Sequence, residues 1–197
     1  MTAAAPQGPH ESSRPLASPV PILIVGTLGA IAVIVAMFSI LRHPTVPAVI
    51  SEDYTRVAGG LLVPEIRGDD PTAVAHALNA RQPSLVVRLP RLRDAGYSLE
   101  GGAIRAMSEQ PGVVVIYRNR AMDLLVAHAY HGALSDLPGP PEVRQANGHR
   151  FVLHRKATNI LAFWQEGPVV MVVTSSLPVE QVVRLAVQAA DSVDVAK

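Results

Sequence analysis

The hydrophobic positions of this chain fall into one uninterrupted segment near the N-terminus and a longer region in which apolar and polar residues alternate. Residues 20–41 form a run of about 22 residues without a charged side chain. A helix of that length extends ~33 Å at about 1.5 Å per residue, which is enough to cross the hydrocarbon core of a bilayer. The pattern therefore predicts a transmembrane helix over residues 20–41.

The segments on either side of this apolar run show no helical or strand periodicity. Residues 1–19 are rich in Pro, Ala and Ser and predict a disordered tail. Pro44 and Pro47 predict a short stiff linker over residues 42–51. A cleaved signal peptide is the alternative for the apolar run, but the hydrophobic core of a signal peptide is shorter and begins nearer the N-terminus.

The sequence leaves the orientation and the assembly of the predicted helix open. Arg14 precedes the helix and Arg42 and Arg56 follow it, and so small a difference in charge does not decide the topology under the positive-inside rule. Gly26 and Ala30 have the small-xxx-small spacing that can support pairing of helices in a bilayer. The oligomeric state is not determined by these features.

Beyond residue 52 the spacing of apolar residues predicts two helices around a series of short strands. Asp70 followed by Pro71 is typical of a helix start, with Asp as the cap, and Pro83 ends this helix. A second, amphipathic helix is predicted from Pro178 to about Ser192. Strands are predicted over 97–107, 113–117, 123–130, 142–146, 149–155, 159–165 and 169–174, and turns are predicted at Gln110–Gly112 and Asn147–Gly148.

The order of these elements, helix, strands and helix, predicts the fold class. An antiparallel meander with one helix before it and one after it is typical of an α+β sandwich whose helices cover one face of the sheet. We therefore predict an α+β domain over residues 52–193, followed by a short tail over 194–197.

The composition narrows the chemistry that this domain can perform. The chain has no Cys, which excludes disulfides, thiol catalysis and Cys-based metal sites. Its net charge is +1 and its aromatic residues amount to 4%, so no nucleic-acid partner is expected. No catalytic or phosphate-binding motif is evident, and we expect no enzyme activity and no cofactor.

Histidine is the residue type that raises the question of a metal site. His128 and His131 form an HxxH pattern, but residues three apart on a strand point to opposite faces of a sheet and do not converge on one ion. His149 and His154 differ in parity as well. We therefore predict no metal site and expect solvated or half-buried histidines, which could sense pH outside the cytoplasm, although the sequence singles none of them out.

The stretch from Leu89 to Gly102 reads LPRLRDAGYSLEGG. It resembles the segment P-D-L-x-x-x-G-[YF]-x-L-x-G-[GA] in the C-terminal domain of bacterial transmembrane anti-sigma factors, a family of membrane transcriptional regulators. The matching residues are Gly96, Tyr97, Leu99, Gly101 and Gly102. Further along, the region around Trp164 and Gly167 resembles the final hairpin of those domains, and Trp164 fits either packing in the core or contact with a partner.

This resemblance, which covers about residues 50–193, carries implications for location and role. It implies a single-pass protein of the bacterial inner membrane, with the N-terminus in the cytoplasm and the α+β domain in the periplasm or otherwise outside the cytoplasm. The motif is a fold signature in that family and has no catalytic role. The family usually carries a sigma-binding domain before the helix, often with one His and two Cys, whereas residues 1–19 hold only His10.

Two functional hypotheses follow from these observations. The first is a membrane-anchored, non-catalytic regulatory or sensory protein that resembles the transmembrane anti-sigma factors. The second is an accessory or assembly subunit of a membrane protein complex, which the missing sigma-binding domain favours. Under both hypotheses the partners of the chain are the lipid bilayer and a protein in or at the membrane.

Overall fold

The computed structural model describes residues 44–194, and these form an α+β domain. An antiparallel sheet accompanied by helices is therefore confirmed within this range. The helices are α1 (Val46–Ala58), α2 (Pro71–Arg81) and α3 (Val179–Asp194). The strands are β1 (Ile66–Arg67), β2 (Tyr97–Met107), β3 (Gln110–Asn119), β4 (Leu124–His131), β5 (Glu142–Ala146), β6 (His149–Lys156), β7 (Asn159–Glu166) and β8 (Val169–Ser175).

The eight strands of the described region form one sheet in the order β1-β2-β3-β4-β8-β7-β6-β5. Each neighbouring pair is antiparallel. The first four strands form one meander and the last four form another, and the pairing of β4 with β8 joins them. The sheet is therefore built from two meanders side by side rather than from the single meander that the sequence predicts. Because β4 and β8 lie at its centre, nearly all their residues are buried.

Helices α2 and α3 lie on one face of the sheet, as the sequence predicts. At the start of α2, Asp70 Oδ1 accepts a hydrogen bond from the Thr72 amide at 2.9 Å, which satisfies one of the free amides of the first turn. Val74 and Leu78 of α2 join an apolar core with α3 and the strands. The buried residues that α3 contributes are Val179, Val182, Leu185, Ala186, Ala189, Ala190 and Val193.

Helix α1 covers the opposite face of the sheet and corrects the predicted linker over residues 42–51. The chain is helical from Val46, and Ile50 is fully buried against strand residues such as Phe163 and Val172. Pro47 lies in the first turn of α1, where a missing amide hydrogen costs no bond. The linker prediction is wrong from Val46 onward because Pro47 starts a helix instead of stiffening an extended segment, and the compact unit begins at Pro44.

One predicted turn is also wrong, and one is confirmed. Gln110 to Gly112 belong to strand β3 and pair with Met107 to Arg105 of β2, so the reversal lies at residues 108–109 instead. Ser108 takes a positive φ of 59° there. By contrast, Asn147 and Gly148 form the predicted hairpin turn between β5 and β6, both with positive φ, as that turn requires.

Several predictions concern residues outside the described range. These are the tail over 1–19, the transmembrane helix over 20–41 with its Gly26 and Ala30 pair, and the tail beyond Asp194. Within residues 44–194, no helix has both the length and the apolar composition needed to cross a membrane.

Candidate functional site

The candidate functional site is a cluster of three ionisable side chains between α1 and the sheet. It consists of Asp53 on α1, Arg105 on β2 and His128 on β4, and we call it the α1 cluster. Asp53 and His128 are buried, with 1% and 0% of their side chains exposed, and Arg105 is 29% exposed. Charged side chains are buried at this level only when they are paired or change protonation state, so the arrangement calls for a specific explanation.

Local sequence places each member on the same side of the sheet. Asp53 lies on the face of α1 that also carries the buried Ile50 and Val57. After the bulge in β2, Arg105 is two residues from Ala103 and two from Met107, so the three share a face of the strand. Ala103 and Met107 belong to the apolar clusters under α1. His128 shares a face of β4 in the same way with the buried Val126 and Tyr130. A period of two along each strand therefore aims Arg105 and His128 at α1.

Asp53 and Arg105 form a two-pronged ion pair. Arg105 Nη2 donates to Asp53 Oδ1 at 2.7 Å, and Arg105 Nε donates to Asp53 Oδ2 at 3.3 Å. This is the planar fork geometry in which a guanidinium binds a carboxylate most strongly. Burial by itself raises the pKa of Asp53, but the contacts with His128 and Arg105 outweigh burial and hold that pKa below its usual value. Asp53 is therefore an ionised carboxylate inside the domain.

His128 completes the cluster without carrying a charge. Its Nε2 lies 3.6 Å from Asp53 Oδ2, just beyond hydrogen-bonding distance, and neither ring nitrogen bonds to a protein group of the described region. Burial lowers the pKa of His128, and the neighbouring Arg105 adds to that effect, although Asp53 opposes it. The neutral imidazole therefore shares a buried space with one anion and one cation.

Further polar contacts attach α1 to strand β7 and to the residue that follows β8. Asn159 Nδ2 donates to Ser51 Oγ at 3.3 Å. Tyr54 Oη donates to Ser176 Oγ at 3.1 Å and accepts from the Ser176 amide at 3.3 Å. The buried Thr174 hydroxyl on β8 bonds to no protein atom in residues 44–194. Helix α1 is thus attached by polar groups of its middle turn, in addition to its apolar face.

The chemistry that this arrangement permits is proton uptake. Asp53 and Arg105 cancel each other's charge, and His128 is the group in the cluster that titrates near neutral pH in its ordinary state. No set of three His, Cys, Asp or Glu residues in the described region has the geometry of a metal site. The α1 cluster therefore links a helix to the sheet through ionisable side chains.

The HxxH histidines diverge, as the parity argument predicts. His128 faces α1, whereas His131 Nε2 lies 2.6 Å from the carbonyl oxygen of Ser84 at the edge of the α2 and α3 face. His149 and His154 also lie on opposite faces, since His149 contacts Asp191 of α3 at 2.9 Å and the His154 ring packs on Phe163 at 5.4 Å. The expectation of solvated or half-buried histidines is nevertheless wrong for His128, which is fully buried.

The glycine-rich motif spans the end of a 3-10 turn and a bulge in β2, away from the α1 cluster. Gly96 has a φ of 82° after a single 3-10 turn, and Gly101 has a φ of 138° where the register of β2 and β3 shifts. A Cβ on Gly101 would collide with the carbonyl of Ile66 on β1, and one on Gly102 would press on Leu78 of α2 at 3.0 Å. Both glycines permit close approach of neighbouring backbone or helix.

The other motif residues serve packing on the α2 and α3 face. Tyr97 and Leu99 are buried in that core. Trp164 is 1% exposed, lies edge-on to Phe151 at 6.1 Å and donates from Nε1 to Glu166 at 2.9 Å. Of its two predicted roles, packing is therefore the one observed. Gly167 supplies the positive φ of 58° in the turn between β7 and β8.

Two surface clefts of the described region lie beside α2. The larger one, of about 390 Å³, lies at the start of α2 and is lined by Asp69 and Asp70 together with Arg91 and Arg93. These opposite charges are exposed, so their field is screened by solvent. A second cleft of about 360 Å³ runs between α2 and the end of α3.

The α1 cluster is not predicted from the sequence, because the prolines over residues 42–51 predict a linker where α1 begins. A signal was present, since Val46, Ile50, Tyr54 and Val57 recur at helical spacing and Pro47 suits a first turn. With α1 recognised as a helix, Asp53 would have stood out as an acidic residue on its apolar face. Its pairing with Arg105 and His128 depends on strand register, which sequence alone does not provide.

No protein-family model, no curated protein and no solved structure matches this chain. We therefore infer function from the geometry of this domain and from the residues of the chain itself.

Proposed function

We propose that this chain is a membrane-anchored, non-catalytic regulatory protein whose α+β domain senses conditions outside the cytoplasm. In this proposal residues 20–41 cross the inner membrane, the N-terminus is cytoplasmic and the domain is periplasmic or otherwise extracytoplasmic. The role is similar to that of transmembrane anti-sigma factors, whose C-terminal domains the motif at Gly96–Gly102 resembles.

The observation that carries the proposal is the way α1 is attached to the sheet. In the sequence, only residues 42–45 separate the predicted transmembrane helix from α1. Helix α1 is held to the sheet by an ion pair and by hydrogen bonds, in addition to apolar contacts. A change in the domain that loosens α1 would therefore alter the first element after the membrane, which is the property that a sensory domain needs.

A topology and transcription experiment tests this function. Alkaline phosphatase and a cytoplasmic fluorescent protein, each fused after Lys197, report on which side of the membrane the domain lies. We expect phosphatase activity without fluorescence, and we expect deletion of the gene to change the transcripts of an extracytoplasmic-stress programme. A fluorescent, phosphatase-negative fusion, or an unchanged set of stress transcripts under every stress tried, would refute the proposal.

A second candidate function is an accessory subunit of a membrane complex, and exposed apolar residues favour it. Leu61, Val63 and Met122 are 77%, 57% and 67% exposed. The loops that carry them lie at one end of the sheet, because Leu62 and Leu124 share a buried cluster there. Purification in mild detergent distinguishes the two functions: a stoichiometric set of membrane subunits would support the accessory role, and the isolated chain would contradict it.

A further inference from the structure

Helix α1 is attached to the sheet through a charge balance that a single proton would change. The cluster contains one carboxylate and one guanidinium, so its net charge is zero while His128 is neutral. We propose that protonation of His128 releases α1 from the sheet, so that mildly acidic conditions control the docking of this helix. The inference names a signal for the sensory role proposed above, but it depends only on the packing of the domain and can fail independently of that role.

The surroundings of His128 oppose a positive charge on its ring. Its cross-strand neighbours are Val114 on β3 and Val172 on β8, both fully buried and apolar. The ionisable groups of the described region that face it are Asp53 from α1 and Arg105 from β2. Because Asp53 is already neutralised by Arg105, a second cation would leave the buried cluster with an uncompensated charge.

Release of α1 offers this charge a route to water that leaves the sheet intact. Helix α1 covers His128, and removing it from the sheet exposes His128, Asp53 and Arg105 together, while all strand pairings remain. After α1 the chain passes through Gly59 and Gly60, and Gly60 already has a positive φ of 70°. With Gly60 in open space, these two glycines can act as a hinge.

The direction of the pH dependence follows from linkage. In the docked state the pKa of His128 lies below its ordinary value of 6.5, to which it returns once the ring meets water. The released state therefore binds more protons below pH 6.5, and docking weakens as the pH falls from 6.5 through the docked pKa of His128. The pKa of Asp53 is held below 3.8, so the ion pair stays charged throughout this window.

Distance measurements between spin labels test the proposal on the full chain in detergent micelles. The chain has no Cys, so Thr55→Cys on α1 and Thr158→Cys after β6 place two labels at exposed positions. We expect one narrow distance distribution at pH 7.5 and a second, longer population at pH 5.0. A distribution that does not change between these pH values would overturn the proposal.

Histidine variants identify the responsible group. His128→Gln and His128→Leu cannot gain the proton and should keep the narrow distribution at pH 5.0, and either variant suffices if the other does not fold. His131→Gln and His154→Gln are matched controls, since His131 lies on the same strand and His154 lies on the α1 face with a pKa that burial lowers. Both controls should retain the longer population. Persistence of the acid response in the folded His128 variants, or its loss in His154→Gln, would overturn the proposal.

Discussion

The two faces of the sheet are held by different kinds of interaction, although the same strands supply both. The face under α2 and α3 is closed by an apolar core that includes Phe151, Trp164 and the stripe of α3. Within residues 44–194, the buried side-chain polar atoms of this face are hydrogen-bonded, as in the Tyr117 hydroxyl that donates to the carbonyl of Pro90 at 2.9 Å. The face under α1 combines apolar contacts with the Asp53, Arg105 and His128 cluster.

The two faces therefore contribute differently to the stability of the domain: one contribution is nearly independent of pH, and the other depends on the charge of the α1 cluster. Apolar burial stabilises the α2 and α3 face by about 25 cal/mol per Å² and depends little on pH. A buried ion pair contributes little net stability, but it becomes strongly destabilising when one partner is lost or an extra charge is added. In our proposal the α1 face is therefore the part of the domain that responds to a signal, because Asp53 and His128 are fully buried there, whereas the His149 and Asp191 pair of the other face is partly exposed.

The largest effect should come from the apolar face. Phe151→Ala removes a fully buried ring that packs on Trp164, and we expect a loss of about 3–5 kcal/mol in the free energy of unfolding. Urea unfolding of the full chain, followed by circular dichroism, measures this loss. The loss should be equal at pH 7.5 and 5.5, and a difference above about 1 kcal/mol between those values would contradict a pH-independent face.

A somewhat smaller effect is expected for the ion pair. Arg105→Met leaves the buried Asp53 carboxylate without its cation and should cost about 3 kcal/mol, less than a fully buried pair because Arg105 is partly exposed. The double variant Asp53→Val with Arg105→Met removes both charges and should regain most of that loss. Additive losses in the double variant would mean that the two residues do not act as a pair.

The smallest effect in this series concerns the glycine motif. Gly101→Ala should cost about 2 kcal/mol, because the new Cβ meets the backbone of β1 and the residue has a strained φ. Gly60→Ala is the control, since it also has a positive φ but open space around it, and it should cost about 1 kcal/mol. Equal losses would show that the contact with β1 is unimportant, and hydrogen exchange at Ile66 and Arg67 would then stay unchanged.

Local rules predicted the elements of the α2 and α3 face well. Asp70 and Pro71 mark the start of α2, and the predicted strand over residues 97–107 coincides with β2. In α3, apolar residues recur at helical spacing from Val179 to Val193, and that face is buried as predicted. These signals succeed because each depends on residues close together in the chain.

The α1 face was harder to predict because it depends on contacts between distant residues. Asp53 meets Arg105 and His128 across 52 and 75 positions of sequence, and their meeting requires the register of β2, β3 and β4. Pro44 and Pro47 favour a linker in the sequence, although proline is equally suited to a first helical turn. The sheet order, with β4 beside β8, also follows from tertiary packing that no local pattern encodes.

The most direct test is the pH dependence of the free energy of unfolding for the full chain and its His128→Gln variant. Trp164 is the single Trp and lies on the face away from His128, so its fluorescence reports unfolding without contacting the titrating group. We predict that the free energy of unfolding of the native sequence decreases as the pH is lowered from 6.5, by at most about 1.4 kcal/mol per pH unit. The reason is that His128 binds a proton more readily in the unfolded chain than in its buried position. His128→Gln should lose most of this decrease between pH 6.5 and 4.5 and keep only the part that comes from His154, whose pKa burial also lowers. A decrease of equal size in both chains would contradict the account.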